Sequence, residues 1–203
     1  MVLKEMYIDL LTKSKFEPSS IPYLWTALEK AYTSKSRHYH DLNHLEAMIV
    51  NFEKYQSNLQ NPDEVLYAIF YHDVVYKATK KDNELKSGEL AVKIIPENSS
   101  LNQDLIFKMI CATQMHQHNE NEDTNWLIDF DLWILGQDWE TYHKYTQQIR
   151  KEYKIYPDFL YNPGRKKALQ HFLENKSIYQ TDTFRGLFEI KARENIQREI
   201  DQL

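Results

Sequence analysis

Apolar side chains recur at three- and four-residue intervals along nearly the whole chain. Leu3, Met6, Tyr7, Leu10 and Leu11 form one stripe, Leu24, Leu28 and Tyr32 a second, and Leu42, Leu45, Met48, Ile49, Phe52 and Tyr55 a third. That period places each set on one face of an amphipathic helix. Pro62 followed by Asp63 and Glu64 reads as a first helical turn, where proline lacks only an unpaired N–H and acid favours the positive dipole end. Val65, Leu66, Ile69 and Phe70 continue that helix, which carries His72 and Asp73 near its end. Asp82, Glu84 and Leu85 open another toward Ile94 and Ile95, stopped by Pro96, and about Leu101 to Met115 is helical again. The polar stretch Asn119 to Asn125 predicts a loop, with Asp123 as cap for a helix from Trp126 to Leu135 that Gly136 ends. Further helices are expected at about 138–154, 165–175 and 183–200, with Pro157, Pro163 and Gly164 breaking regularity between Tyr156 and Gly164. Val74, Val75 and Tyr76 are the best strand candidate and are too few to build a sheet.

Composition sharpens this into an all-α expectation. Four glycines and six prolines in 203 residues leave little for the tight turns of a hairpin-rich fold. The length suits one domain spanning residues 1–203, and 14 Tyr, 9 Phe and 4 Trp supply its core. A net charge of −5 gives no positive field to draw in nucleic acid or anionic lipid. Cys111 stands alone, so neither an internal disulfide nor a thiolate zinc site is expected, and a reducing cytoplasm is the expected compartment. Charges interrupt the amino-terminal apolar residues, and no window approaches about 18 uncharged apolar residues, so neither secretion nor membrane spanning is expected.

Against that background a few residues stand out chemically. His40 and His44 are four apart on a predicted helix, which would put their imidazoles on one face about 5–6 Å apart at Cβ. His72-Asp73 ends an otherwise apolar helix, and Asp129 and Asp131 interrupt the most apolar window of the chain, Trp126 to Leu135. Buried charges at such places need a partner or a metal.

A histidine on a helix, then His-Asp, then a distant Asp before an apolar residue resembles the HD superfamily of metal-dependent phosphohydrolases. Arg37-His-Tyr-His-Asp-Leu-Asn-His44, Tyr71-His-Asp-Val-Val-Tyr76, Asp82-Asn-Glu84, Ala112-Thr-Gln-Met-His116, Ile149-Arg-Lys-Glu-Tyr153, Gly164-Arg165 and Ala192-Arg-Glu-Asn195 extend the likeness to a bacterial branch of predicted HD phosphohydrolases. The resemblance implies a single-domain helical HD fold in which His44, His72, Asp73 and Asp131 converge on one divalent ion. His44 is preferred to His40 because an aliphatic residue, Met48, follows it by four, and Asp131 to Asp129 because Asp-Phe-Asp-Leu resembles a pattern whose second Asp is the ligand. His40 and Asp129 stay as alternatives. Lys77 and Phe130 depart from the branch, at a position usually acidic and at one usually small.

The resemblance further implies hydrolysis of a phosphate ester, a small nucleotide or related metabolite, by metal-activated water. The donor set suits Mn, Fe, Co, Ni, Zn or Mg rather than soft copper. An ion at such a site lowers the pKa of bound water toward about 7 and polarises a phosphoryl oxygen. His116, and after it His40, are candidate ligands for a second ion about 3.5–4 Å from the first. Asp73 and Glu84 are the candidate catalytic carboxylates, Glu84 as general base or, alternatively, as an acid stabilising a first helical turn. Arg37, Arg150, Arg165 and Arg193 are candidate phosphate forks, Arg165 at a helix start after Pro163-Gly164. The plainer alternative makes Arg150 with Glu152, and Arg193 with Glu194, simple helix surface. His118, His143 and His171 are expected in solvent, as is His38 unless it lines the pocket mouth, and Trp126, Trp133 and Trp139 in the core. Two other functions fit the same residues: an HD-type di-iron oxygenase using His116 for its second iron, and a non-catalytic nucleotide- or metal-binding module.

Overall fold

In the computed structural model, which describes residues 2–203, the helix that organises the chain is the one opened by Pro62. Numbered in chain order, the helices are α1 (Val2–Lys13), α2 (Ile21–Tyr32), α3 (Leu42–Tyr55), α4 (Pro62–Tyr71), α5 (Asn83–Lys93), α6 (Gln103–Ala112), α7 (Glu122–Leu132), α8 (Trp139–Glu152), α9 (Asp158–Glu174) and α10 (Asp182–Gln202). Short 3-10 turns follow α3 and α7, and no strand forms among the described residues. The architecture is all-α, and no helix of the described residues is long and apolar enough to cross a membrane.

Every residue from Val65 to Tyr71 is buried, so α4 is enclosed on all sides rather than on one stripe. Helices α1, α3, α5, α6 and α7 all pack on it. Tyrosines fill much of this core because each hydroxyl finds a partner: Tyr7 with Tyr71, Tyr32 with the carbonyl of Phe70, Tyr67 with that of Ala91. Helices α8, α9 and α10 form a second group, which meets the first through the 3-10 turn Trp133–Gly136 at the end of α7.

Four local expectations change. Helix α7 begins at Glu122, inside the expected loop, and its cap is Asn121, whose side chain accepts from Thr124 N. Asp123 is instead buried and accepts from the N–H groups of Gln60 and Asn61, joining the start of α7 to the approach of α4. The helix expected to reach Met115 stops at Ala112. Conversely, α9 runs from Asp158 straight through Pro163 and Gly164, so Arg165 lies inside a helix rather than at its start. Proline is tolerated there because the carbonyl it leaves without a donor belongs to exposed Phe159, within reach of water.

Gly136 ends the helical stretch after α7 without a positive φ, so close packing and not a left-handed cap explains it. A Cβ at this position would lie 2.6 Å from Phe188 Cβ and 2.9 Å from the Tyr179 hydroxyl. Phe188 Cβ is fixed to the backbone of α10 and cannot swing aside, so α10 would have to move. Gly136→Ala is therefore expected to destabilise the fold by about 1–3 kcal/mol, read by calorimetry as a fall of several degrees in Tm. An unchanged Tm would show that α10 is not seated on this turn.

Candidate metal centre

Three segments bring their histidines and aspartates to one point. His44 stands in the first turn of α3, whose cap Asp41 accepts from the N–H groups of Asn43 and His44. His72 closes α4, Asp73 follows it, and Asp131 lies in the last turn of α7. His44 Nε2 is 3.3 Å from His72 Nε2 and 3.2 Å from Asp131 Oδ1, and His72 Nε2 is 3.9 Å from that oxygen and 3.2 Å from Asp73 Oδ2. The ligand atoms of His44, His72 and Asp131 all lie within 4.8 Å of one another. Asp73 joins them through His72.

This arrangement is rich in acceptors. His72 Nδ1 is 2.9 Å from the carbonyl of Ile69, which can only accept, so that nitrogen carries a hydrogen and Nε2 is the atom turned to the cluster. Burial disfavours charge on His72, but Asp73 and Asp131 outweigh burial and push it up to about 9. Burial likewise opposes ionisation of Asp73, yet His72 and His40 hold it below the usual carboxylate range, and His116 and His44 do the same for Asp131. Two carboxylates flank the two imidazoles, so the cluster favours positive charge, either a proton on His72 or a cation in its place. A divalent ion fits that donor set, with His44, His72 and Asp131 able to hold it.

Asp131 offers its second oxygen elsewhere. His116 Nε2 is 3.0 Å from Asp131 Oδ2, so the carboxylate stands between His44 and His116. His116 sits in a turn at φ 51°, a left-handed conformation uncommon outside glycine, and Gln180 Nε2 donates to its carbonyl. Residues two apart on a helix point to opposite sides, and Asp129 accordingly leaves the cluster. It accepts from Gln180 N, Thr181 N and Thr181 Oγ1, while burial pushes it up to about 7 against those bonds. Glu84, in the first turn of α5, is half-buried, and its pKa is raised by burial and by the nearby charges of Asp73 and Asp131, with His116 pulling the other way.

His40 precedes α3 rather than lying on it, and it is not one of the converging donors. Its Nδ1 is 2.6 Å from Glu152 Oε2, and its ring stacks on Tyr76. Glu152, for which helix surface was the plainer alternative, is instead buried at 7 % exposure. Its Oε1 accepts from the N–H groups of His38, Tyr39 and His40, so His38 is held by its backbone, and Tyr76 donates to Oε2. The only sequence signal for Glu152 was its place in Ile149-Arg-Lys-Glu-Tyr153. His118, His143 and His171 are exposed as expected; Trp126 is buried, and Trp133 and Trp139 are partly buried against the core.

The four arginines have protein partners. Arg37 donates to the carbonyls of His40 and Val74 and lies over the Tyr32 and Tyr76 rings, tying the loop before α3 to the His-Asp turn. Arg150 holds Asp158 and the carbonyls of Tyr153 and Tyr156, which closes the turn from α8 to α9. Arg193 binds Glu189 and the carbonyls of Leu173, Asn175 and Lys176. Arg165 makes a two-pronged pair with Glu199 of α10, at 2.7 and 3.1 Å, and reaches Tyr145. The bonds of Arg37, Arg150 and Arg193 are structural ones, and Arg165 joins α9 to α10.

A cavity of about 300 Å³ opens on the cluster, with His44 and Asp131 in its wall beside Tyr39, Trp133 and Gln148. Lys144 of α8 is the one Lys or Arg lining it, and nothing in the sequence pattern marked that residue. No protein-family model matches the chain, and no curated protein or solved structure matches it either.

Glu152 gives a pH test of the site's support. Burial acts to raise its pKa, but His40 and the N–H groups of Tyr39 and His38 prevail and hold it at about 2, below its ordinary 4.5. A depressed folded-state pKa contributes stability above the ordinary value that is lost as pH falls toward the folded one. Glu152→Gln should cost about 1–3 kcal/mol near pH 6. In urea denaturation the gap to the wild type should narrow as pH falls from about 4.5 toward 2. A gap independent of pH would mean that Glu152 is not held ionised.

Proposed function

We propose that this protein is a divalent-metal-dependent hydrolase of phosphate esters, acting on a small nucleotide or related metabolite in the cytoplasm. The observation that carries the reading is the convergence of His44 Nε2, His72 Nε2 and Asp131 Oδ1, with His72 turned by the Ile69 carbonyl so that Nε2 faces inward. The resemblance to HD phosphohydrolases in the order of these residues supports it from the sequence side. A divalent ion held there would make bound water acidic enough to ionise near neutral pH and would polarise a phosphoryl oxygen.

The chain's own residues have distinct parts in this proposal. Asp73 adds negative charge beside His72 and strengthens the hold on a cation. Glu84, half-buried and raised in pKa, is the group that takes a proton from the attacking water. Lys144 provides the positive charge that faces the substrate's phosphate across the smaller cavity, in place of the arginines expected from sequence. A second ion is favoured by one specific observation, the Asp131 carboxylate shared between His44 and His116. In that reading His116 is a ligand, and the di-iron oxygenase alternative is separated by iron content and O₂ consumption.

Protein purified without added metal is expected to carry close to one equivalent of a divalent ion, or two in the shared-carboxylate reading. A phosphoester panel run with each candidate ion should then show turnover. Asp131→Ala is expected to lose metal and activity together while staying folded; a fully metallated, active variant would remove the site from the mechanism. Glu84→Gln should keep its metal and slow kcat by about 10²–10⁴-fold, the range for one general acid or base. Unchanged turnover would leave Glu84 as a first-turn acid of α5.

A further inference from the structure

Beside the cluster lies a larger cavity, of about 460 Å³, between α8, α9 and the loop before α3. Tyr145, Tyr153, Tyr156 and Tyr161 line it, with His40 and Arg165. Neither of the last two leaves a net charge in the wall, because Glu199 pairs with Arg165 and Glu152 with His40. A free anion therefore has nothing unpaired to bind, whereas an uncharged planar ring finds several aromatic faces. Polar edges are present as well. Tyr145 accepts from Arg165 Nη2, which leaves its hydroxyl hydrogen to donate, and His40 uses only Nδ1 for Glu152. Large apolar side chains also stand exposed on the α8–α9 segment that forms the rim, with Ile155 at 69 %, Phe159 at 75 % and Leu160 at 55 %.

The cavity adjoins the cluster. The Tyr145 ring is 4.6 Å from Tyr39, whose ring is 4.9 Å from His44, and the His40 ring is 5.9 Å from His44. Aromatic faces, polar edges, absence of unpaired charge and this proximity together describe one kind of guest. We propose that this tyrosine-walled cavity binds the nucleobase of a nucleotide whose phosphate lies at the His44–His72–Asp131 cluster. The inference rests on the phosphoesterase reading for the phosphate end, while base binding stands on the cavity itself.

Gly164 and Ala168 line the cavity one turn apart on α9, both exposed. A Cβ on Gly164 meets no atom within 4 Å, so a larger side chain enters open space rather than the core. Leucine is a better helix former than glycine and ranks next to alanine. Gly164→Leu and Ala168→Leu should therefore fill the cavity with Tm and metal content at or above the wild-type values. Equilibrium dialysis with adenosine, guanosine, cytidine and uridine, with ribose as control, tests base binding without any turnover. Binding of at least one nucleoside well above ribose, weakened roughly tenfold or more in both variants, is the expected result, in line with the loss of base–aromatic stacking. In hydrolysis assays the KM for the nucleotide should rise by a similar factor in both variants, while glycerol phosphate, which has no ring, is turned over as by the wild type. Nucleosides that bind no better than ribose, or that bind both variants as well as the wild type, overturn the proposal. If no phosphoester is hydrolysed but nucleoside binding is present and lost in the variants, the catalytic reading fails and the base site stands.

Discussion

A carboxylate set among apolar side chains at the end of α7, and only 16 % exposed, sets the terms for everything around it. Asp131 shares α7 with Trp126, Leu127, Ile128, Phe130 and Leu132, all of them buried. An unpaired charge in such a place costs several kcal/mol. The fold meets that cost with imidazoles drawn from three different segments: His44 from the start of α3, His72 from the end of α4, and His116 from the turn after α6. Because α4 is enclosed on every side, its end can be placed only where the core places it. The proposed metal centre is in this sense the point where this enclosed helix stops.

Other acids do a different job with the same chemistry. Asp123 grips the N–H groups of residues 60 and 61, Asp129 those of 180 and 181, Glu152 those of 38 to 40, and Glu189 those of 178 and 179. Each is a helix side chain that clasps a loop distant in sequence or at the far end of its own helix. A carboxylate accepting several N–H groups makes charge-assisted bonds, stronger than neutral ones. Arg37, Arg150 and Arg193 act in the complementary way, closing on backbone carbonyls. The loops that shape both cavities are consequently held by ion-to-backbone contacts rather than by apolar packing alone.

The helices were legible in the sequence because burial repeats with the period of the helix, and that pattern is local. Pro62 with its following acids marked the start of α4, and the sparse glycines excluded a hairpin-rich fold. The convergence of His44, His72 and Asp131 was legible through the order of unusual polar residues in apolar surroundings. What periodicity does not carry is the identity of distant partners. Glu152 looks like any acid on an amphipathic helix until residues 38–40 are laid against it, and Arg165 looks available until Glu199 is seen beside it. Pro163 failed as a helix breaker for a similar reason, since its cost depends on whether the freed carbonyl reaches water. Lys144 gave no signal at all, because a lysine on the polar face of α8 is the commonest of patterns.

The clasp between Glu152 and the loop at residues 38–40 joins positions more than a hundred apart in the chain. His44, His72, Asp73 and Asp131 all precede Glu152, and the segment that secures Asp129 and the His116 carbonyl comes later still, at Gln180 and Thr181. During synthesis, therefore, all four of those residues are made before the groups that fix their surroundings. The nascent chain holds this set of candidate ligands before the scaffold that selects their geometry. Ordered assembly of the cluster therefore waits on Glu152, Gln180 and Thr181, residues that come after every member of it.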